Sequence, residues 1–320
     1  MRTNRRAVLS GASMILAGAA AGGLVGCNSS GSSSARTSPA SAVVRHKFGS
    51  TAVPADVRRV VTVGWNDQDF VLPFGIVPVG VRGWFDNYDR LPWVQRSTAG
   101  RPLPVVSTDE IDFEQIAAAR PELILAIYET VDQATYRRLS EIAPTVVQPA
   151  GRRDEETPWD AQLLITGQAL GREDRAHALI KDVQTAVDRA KTEHPEFVGA
   201  VLVEDYGPEN GGHYLIGKGD PRRALVDALG FATQQQKGEL SEEKLSILDR
   251  DILFVLGATE SQMLRSKLFA RLQVVKQGRT LYTSFESDLA AALSYSGPDA
   301  LLYAVDALVP RLAAALKRRS

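Results

Sequence analysis

Aromatic side chains recur where the predicted β-strands of this sequence end. Trp65 follows the strand-like run VVTVG, Trp84 follows VPVGVRG, and Tyr128 follows LILAI. Such rings supply apolar contact area at low entropic cost, and indoles and phenols add a polar tip. For any single ring, burial in the core is the alternative. Together they predict a cleft for a large, flat or apolar ligand, with these candidate ligand-binding residues: Trp65, Arg82, Trp84, Phe85, Tyr128, Trp159, Tyr206, Tyr214, Arg222 and Phe285.

Charged side chains of both signs lie in the same strand-end segments. Arg82, Lys218 and Arg222 could meet an anionic chelate, and arginine is the better partner for carboxylate or catecholate oxygens. Five acids would repel such an anion: Asp67, Asp69, Glu129, Glu204 and Asp205. The balance favours a neutral or cationic chelate, although solvated loop charges would give the same pattern.

Patterns for direct metal binding and for catalysis are absent from the sequence. The histidines, at 46, 177, 194 and 213, are scattered, and the chain has one cysteine. A zinc or manganese site is not expected from such a set. There is no G-x-S-x-G or H-E-x-x-H motif, and the run GPENGGHYLIGKGDP lacks the spacing of a phosphate-binding loop. We therefore predict no direct metal ligands and no enzymatic activity.

The single cysteine has its own chemistry. A basic start with Arg5 and Arg6 precedes a charge-free run that ends in Leu24-Val25-Gly26-Cys27. This pattern predicts a signal peptide over residues 1–26 and lipid attachment to the thiol of Cys27. The arginine pair suggests twin-arginine export, with general export and an uncleaved anchor as the alternatives. A Ser-rich tether is expected over residues 27–45.

Composition is ordinary for a folded extracytoplasmic protein. Hydrophobic residues make up 44% of the chain, and without the three signal-peptide arginines the count is 38 acidic against 34 basic residues, a net charge near −4. That charge disfavours a nucleic-acid partner. The lone cysteine excludes a disulfide framework.

The pattern of elements predicts an α/β fold. Short β-branched runs alternate with helical periodicity in both halves, as in Rossmann-like lobes with central parallel sheets. We place the N-terminal lobe at residues 46–157, a helical linker at 158–195 and the C-terminal lobe at 196–320. Leu179, Ile180, Val183 and Val187 share one face of the long linker helix. A single stiff helix between the lobes implies a ligand cleft between them and limited closure.

The two halves repeat one unit. EQIAAARPELILAI begins at Glu114, and EKLSILDRDILFVL begins at Glu243. Aligned from these glutamates, each segment has a short helix, a charged turn and an apolar strand. A chance match between two helix–strand units is the alternative. Each glutamate would also favour a helix N-terminus electrostatically.

The chain resembles the iron-siderophore-binding lipoproteins of ABC importers, the helix-linked class that includes haem and vitamin B12 binders. The resemblance spans nearly the whole mature chain through RRVVTVGWNDQDFVLPFGIVPVGV, FEQIAAARPELILAI, LGREDRAHALI, SEEKLSILDRDILFVL and FESDLAAALSYSGPDALLYAVDAL. It implies a ferric siderophore as ligand, with no covalent cofactor apart from the lipid. It also implies an ABC permease partner, docked through Glu114 and Glu243, and a monomer anchored at the outer face of the cytoplasmic membrane.

Other functions stay open at this point. Haem could take an axial ligand from Tyr206, His213 or Tyr214, and cobalamin is a further ligand of the same class. A surface lipoprotein without a transport role, or an enzyme, is less favoured, because a fold does not fix a function.

Overall fold

The structure is a computed structural model, and it describes residues 40–206 and 212–319. The predicted signal peptide, Cys27 and most of the predicted tether lie outside these residues. The described chain begins with an antiparallel hairpin of β1 (Ala40–His46) and β2 (Gly49–Pro54). Residues 40–45, which we assigned to the tether, therefore form most of β1. Within the described chain, no helix is both long and apolar enough to cross a bilayer.

A parallel sheet with flanking helices forms the N-terminal lobe. Strands β3, β6 and β7 pair in that order, β4 pairs with β5, and a parallel bridge between Val61 and Gly80 joins the two sets. The all-apolar β6 is buried along its length, as expected for a central parallel strand. The elements in chain order are β3 (Val60–Thr62), α1 (Asp67–Val71), β4 (Val81–Arg82), α2 (Pro92–Thr98), β5 (Val105–Ser107), α3 (Phe113–Ala118), β6 (Leu123–Ala126), α4 (Gln133–Ile142) and β7 (Thr145–Val147).

Two helices lead from this lobe to the next, α5 (Trp159–Ala169) and the 21-residue α6 (Glu173–Glu193). The predicted apolar face of α6 is confirmed, because Leu179, Ile180 and Val183 are all buried there. Spacing of three and four residues puts these side chains in one stripe along the helix.

The C-terminal lobe is built around a five-stranded sheet of order β10-β9-β8-β11-β12. Strand β11 runs parallel to both β8 and β12, whereas β9 and β10 are antiparallel to their neighbours. The elements are β8 (Leu202–Tyr206), β9 (His213–Ile216), α7 (Ala224–Ala228), β10 (Gly238–Leu240), β11 (Ile252–Leu256), α8 (Glu260–Met263), α9 (Gln273–Lys276), β12 (Thr280–Thr283), α10 (Asp288–Tyr295) and α11 (Pro298–Leu316), with a 3-10 helix at Glu242–Leu248.

The two-lobed α/β architecture is the one predicted from the sequence. One contact between the lobes was not anticipated. Helix α11, which begins with Pro298 at a favourable first-turn position, crosses back to the N-terminal lobe. There the ring of Tyr303 lies 5.3 Å from that of Trp93 on α2. The lobes are thus held together by α6 and by the packing of α11.

Candidate functional site

A cavity of about 790 Å³ lies between the two lobes. Tyr128, just after β6, and residues 153–156, after β7, form its wall on the N-terminal side. Tyr214 on β9 and the loops at residues 217–222 and 237–238 form the opposite wall. Its position beyond strand ends is where parallel α/β sheets bind ligands. Its volume suits a ligand of several hundred daltons.

The charges that line this cavity cancel. The lining holds four basic and four acidic side chains: Arg153, Lys218, Arg222, Lys237, Asp154, Glu155, Glu156 and Asp220. Ion pairs occupy three of the acids: Asp220 with Arg222 at 2.7 Å, Glu156 with Arg153 at 2.8 Å, and Asp154 with Lys47 at 2.6 Å. The cavity therefore offers many hydrogen-bonding groups but no large field of one sign.

Three of the predicted residues line this cavity: Tyr128, Tyr214 and Arg222. Arg222 also lies over the ring of a fourth, Tyr206. The guanidinium carbon of Arg222 lies 4.8 Å from the centre of the Tyr206 ring. Tyr214 is 45% exposed and lines the cavity with Tyr128. Burial raises the pKa of Tyr128 to about 12 and also raises that of Tyr206. Both phenols are therefore neutral hydrogen-bonding groups at neutral pH.

Asp220 fixes the position of Arg222. The Arg222 Nε donates to Asp220 Oδ1 at 2.9 Å, and a terminal nitrogen of its guanidinium donates to Oδ2 at 2.7 Å. Burial alone would lower the pKa of Arg222, but these hydrogen bonds and the nearby negative charge raise it. The cavity thus keeps a permanently charged, geometrically fixed donor over the Tyr206 ring.

Arg82 is a buried arginine that lies against the ring of Trp65. Its guanidinium carbon lies 3.4 Å from the centre of the Trp65 ring, and the side chain is only 3% exposed. It forms a buried ion pair with Glu129 and donates to the carbonyl oxygens of Thr108 at 2.7 Å and Asp109 at 2.5 Å. Its donors are thus directed to the protein, and the indole of the half-buried Trp65 rests on it.

Three more of the predicted rings form an aromatic cluster that joins the lobes. Trp84 and Phe85 of the N-terminal lobe pack against Phe285, at centroid distances of 6.1 and 5.7 Å. Trp84 also stacks on Tyr295 at 5.1 Å, and its indole donates to the carbonyl oxygen of Trp65 at 2.6 Å. The cluster therefore adjoins Trp65.

Trp159 lies apart from these rings. It lines a second cavity, of about 320 Å³, with Val183 and Val187 of α6 and with residues of α7 and α11. This cavity is mostly apolar and belongs to the packing around the linker helix. A ligand contact by Trp159 stays a prediction.

The five acids expected to face the ligand are buried instead, which corrects the reasoning drawn from them. Their exposure is 7% or less: Asp67, Asp69, Glu129, Glu204 and Asp205. Burial at strand ends was missed because carboxylates are seldom buried unless they are paired. Here each carboxylate has protein partners, such as Arg223, which donates to Glu204 at 2.9 Å. The charge balance at the cavity comes from a different set of acids.

The loop that supplies most of those acids was missed in the sequence. Residues 153–156 lie in the segment that follows β7, so the rule that ligands bind beyond strand ends points to them. This loop has no aromatic residue, so a prediction based on aromatic rings does not include it. Lys237, at the edge of β10, gave no comparable signal.

His213 is poorly placed to serve as an axial ligand of haem. Its Nδ1 contacts Asp205 Oδ2 at 2.5 Å, and its ring stacks on Phe269, whereas its neighbour Tyr214 lines the cavity. Alternation along β9 puts successive side chains on opposite faces. Burial opposes a charge on His213, but Asp205 outweighs it and raises the pKa of the imidazole. Among the described residues there is no group of three metal-binding side chains.

Glu114 and Glu243 occupy matching, exposed positions. Each is the second residue of a short helical element that precedes a central parallel strand, α3 before β6 and Glu242–Leu248 before β11. Asp112 caps α3, because its carboxylate accepts from the backbone nitrogens of residues 114 and 115. The repeat seen in the sequence is therefore present in both lobes.

Comparisons with known proteins agree with this architecture. A family model described as periplasmic binding protein matches residues 84–286. The chain is similar to the probable siderophore-binding lipoprotein YfiY of Bacillus subtilis, with 26% identity over 80% of this chain and 84% of that protein. It is also similar to a periplasmic solute binding protein from Mycobacterium smegmatis, with 32% identity, a TM-score of 0.80 and coverage of 87% and 99% of the two chains. The iron uptake ABC transporter substrate-binding protein PiaA of Streptococcus pneumoniae has 25% identity and a TM-score of 0.73, with coverage of 86% and 99%.

Proposed function

The chain belongs to the periplasmic binding protein family, and from this premise we propose that it captures a ferric siderophore outside the cytoplasm and delivers it to an ABC permease. The observation that carries the proposal is the cavity of about 790 Å³ between the lobes. YfiY is named as a probable siderophore-binding lipoprotein and PiaA as an iron uptake protein, and both names support the same ligand class. No bond is made or broken by such a protein, so its chemistry is recognition.

The ligand contacts divide into two kinds. Tyr128 and Tyr214 offer ring faces and hydroxyl groups, and Arg222, which lies over the Tyr206 ring, offers a fixed cationic donor. Trp65 and the aromatic cluster of Trp84, Phe85 and Phe285 stay predicted contacts, since these rings pack against one another outside the lining of this cavity. Affinity would come from burial of the chelate against the rings of Tyr128 and Tyr214, and orientation from the few polar groups.

The cancelling charges of the lining favour a neutral ferric complex. A triply negative catecholate complex would bring three charges into a cavity whose basic groups are largely matched by acids. It would lose its hydration without gaining enough ion pairs to offset that loss. A neutral trihydroxamate complex escapes that cost. Its carbonyl and hydroxamate oxygens can accept from Arg222 and the phenols.

Delivery is proposed to run through the two matching glutamates. Glu114 and Glu243 are exposed, one on each lobe, and can meet basic residues of a permease simultaneously. The lobes, residues 46–157 and 196–320, would then dock together, with limited closure between them because one helix joins them. Lipid attachment at Cys27 would hold this monomeric receptor at the outer face of the cytoplasmic membrane.

One titration tests the proposal. The full chain, purified in detergent, is titrated with ferrichrome, a ferric catecholate, haemin and cobalamin, and tryptophan fluorescence is followed. We expect saturable quenching by ferrichrome and weaker or no quenching by the catecholate. A response to haemin alone, lost in Tyr214→Phe, would favour a haem carrier, since Tyr214 is the exposed phenol of the cavity. No response to any of the four would refute the proposed function.

A further inference from the structure

The run Asp67-Gln68-Asp69 at the start of α1 plays no part in the ligand contacts proposed above. All three side chains are buried, with exposures of 2% or less. Two carboxylates in the same helical turn are costly to bury and need compensating partners. The two aspartates have different partners. Asp69 accepts from the hydroxyl of Tyr88 at 2.6 Å and the indole of Trp93 at 3.1 Å.

Asp67, in contrast, binds only backbone N–H groups. Its Oδ2 accepts from the nitrogens of Gly64 at 3.1 Å and Ile127 at 2.9 Å, and its Oδ1 accepts from the nitrogen of Tyr128 at 3.1 Å. These donors come from two chain segments, the one that leaves β3 and the one that leaves β6. A carboxylate is suited to this task, because both oxygens are acceptors and neither is a donor.

The two segments joined by Asp67 carry the aromatic residues Trp65 and Tyr128, of which Tyr128 lines the cavity. Trp65 is next to Gly64, and Tyr128 itself is bound through its nitrogen. A further backbone hydrogen bond, from the nitrogen of Trp65 to the carbonyl oxygen of Tyr128 at 3.0 Å, completes the connection. The carboxylate therefore connects the two backbone segments that carry these rings.

Gly64 leaves the space that the carboxylate needs. A Cβ at this position would lie 2.4 Å from Asp67 Oδ2 and 2.6 Å from its carboxyl carbon. Even the smallest side chain would therefore displace the carboxylate from its three donors. Glycine at 64 and aspartate at 67 form one structural unit.

We propose that Asp67 is a positioning residue of the binding cleft, and that its buried carboxylate fixes Trp65 and Tyr128 in the arrangement that receives the ligand. The inference rests on the proposed function for its ligand. It does not make Asp67 a ligand contact, since the cavity lining does not include it. Burial raises the pKa of Asp67 to about 6, and the three backbone donors and Arg82 oppose that rise.

Three variants of the full chain test this role. Asp67→Asn keeps the size of the side chain, but whichever way the amide turns, its NH₂ group faces at least one N–H donor. Gly64→Ala displaces the carboxylate without removing it. Asp69→Asn is the matched control. Asp69 is similarly buried and lies on the same helix, but its carboxylate binds Tyr88 and Trp93 and not the segments that follow β3 and β6.

Two readouts follow for each variant. Ferrichrome titration should show binding about tenfold weaker in Asp67→Asn and Gly64→Ala, equivalent to about 1.4 kcal/mol, and unchanged in Asp69→Asn. Hydrogen exchange, followed by mass spectrometry, should be faster for the backbone amides of Ile127 and Tyr128 in the first two variants only. Thermal denaturation identifies any variant that is unfolded. If Asp67→Asn is unfolded, Gly64→Ala serves in its place.

The outcomes separate this inference from the proposed function. If the wild-type chain binds ferrichrome and both cleft variants bind it within about twofold of wild type, the positioning role is wrong. Equal losses in Asp69→Asn would also overturn it, because they would indicate a general effect of burying an amide. If the wild-type chain does not bind ferrichrome, hydrogen exchange alone decides, and unchanged exchange at Ile127 and Tyr128 would refute the role.

Discussion

Removal of Arg82 should destabilise the chain strongly. In Arg82→Leu, the Glu129 carboxylate, 9% exposed at its side chain, loses its ion-pair partner. The carbonyl oxygens of Thr108 and Asp109 lose their arginine donors as well. Breaking a buried pair by removing one partner costs about 3–5 kcal/mol. We expect a loss of this size in the free energy of unfolding, measured by urea denaturation with circular dichroism.

A paired replacement separates the charge from the packing. The double variant Arg82→Leu/Glu129→Leu removes both charges, and replacing a buried pair by apolar residues is often neutral. It should recover most of the loss, except the part due to the two orphaned carbonyl oxygens. Glu129→Gln keeps an acceptor and should cost less than Arg82→Leu. A loss below about 1 kcal/mol in Arg82→Leu would refute the reasoning, since surface pairs contribute that little.

Three further predictions concern the lobes and their partner. Gly297→Ala would put a Cβ 2.5 Å from the carbonyl oxygen of Asp69, so the melting temperature should fall by an amount equivalent to about 1–3 kcal/mol; an unchanged value would contradict the close contact. The pKa of Asp69 is about 7 in the folded chain, raised by burial from 3.8, so the folded state holds its proton more tightly than the unfolded state. As the pH falls from about 8 to about 5, wild type should therefore gain stability relative to Asp69→Asn in melting experiments; a constant difference would count against the raised pKa. Glu114→Lys with Glu243→Lys should abolish cellular iron uptake while ferrichrome affinity stays unchanged, and normal uptake would exclude docking through these residues.

Periodicity and strand signals were enough to predict the architecture. The apolar stripe of α6 and the repeated helix–strand unit both follow from local patterns, which depend on spacing along the chain. The contact between α11 and the N-terminal lobe could not be read in this way. It depends on how the surfaces of Trp93 and Tyr303 meet, and these residues are about 200 positions apart in the chain.

The candidate site shows the same division. Two of the aromatic residues predicted from strand ends, Tyr128 and Tyr214, line the cavity, which lies where parallel strands end at one edge of a sheet. The sequence could not tell which rings face the cavity, as Tyr128 and Tyr214 do, and which pack on one another, as Trp84 and Phe285 do. Burial of charge was the main error. Asp67 looks like a solvated loop acid until its three backbone donors are seen.

Iron itself provides the most direct test of the cleft. Crystals of the chain grown with ferrichrome would give an anomalous signal at the iron absorption edge, which locates the metal without reference to the organic ligand. We expect one iron site between the lobes, in the cavity bounded by Tyr128, Tyr214 and Arg222. An iron site elsewhere on the chain, or a crystal of the saturated complex with the cavity empty, would contradict this expectation.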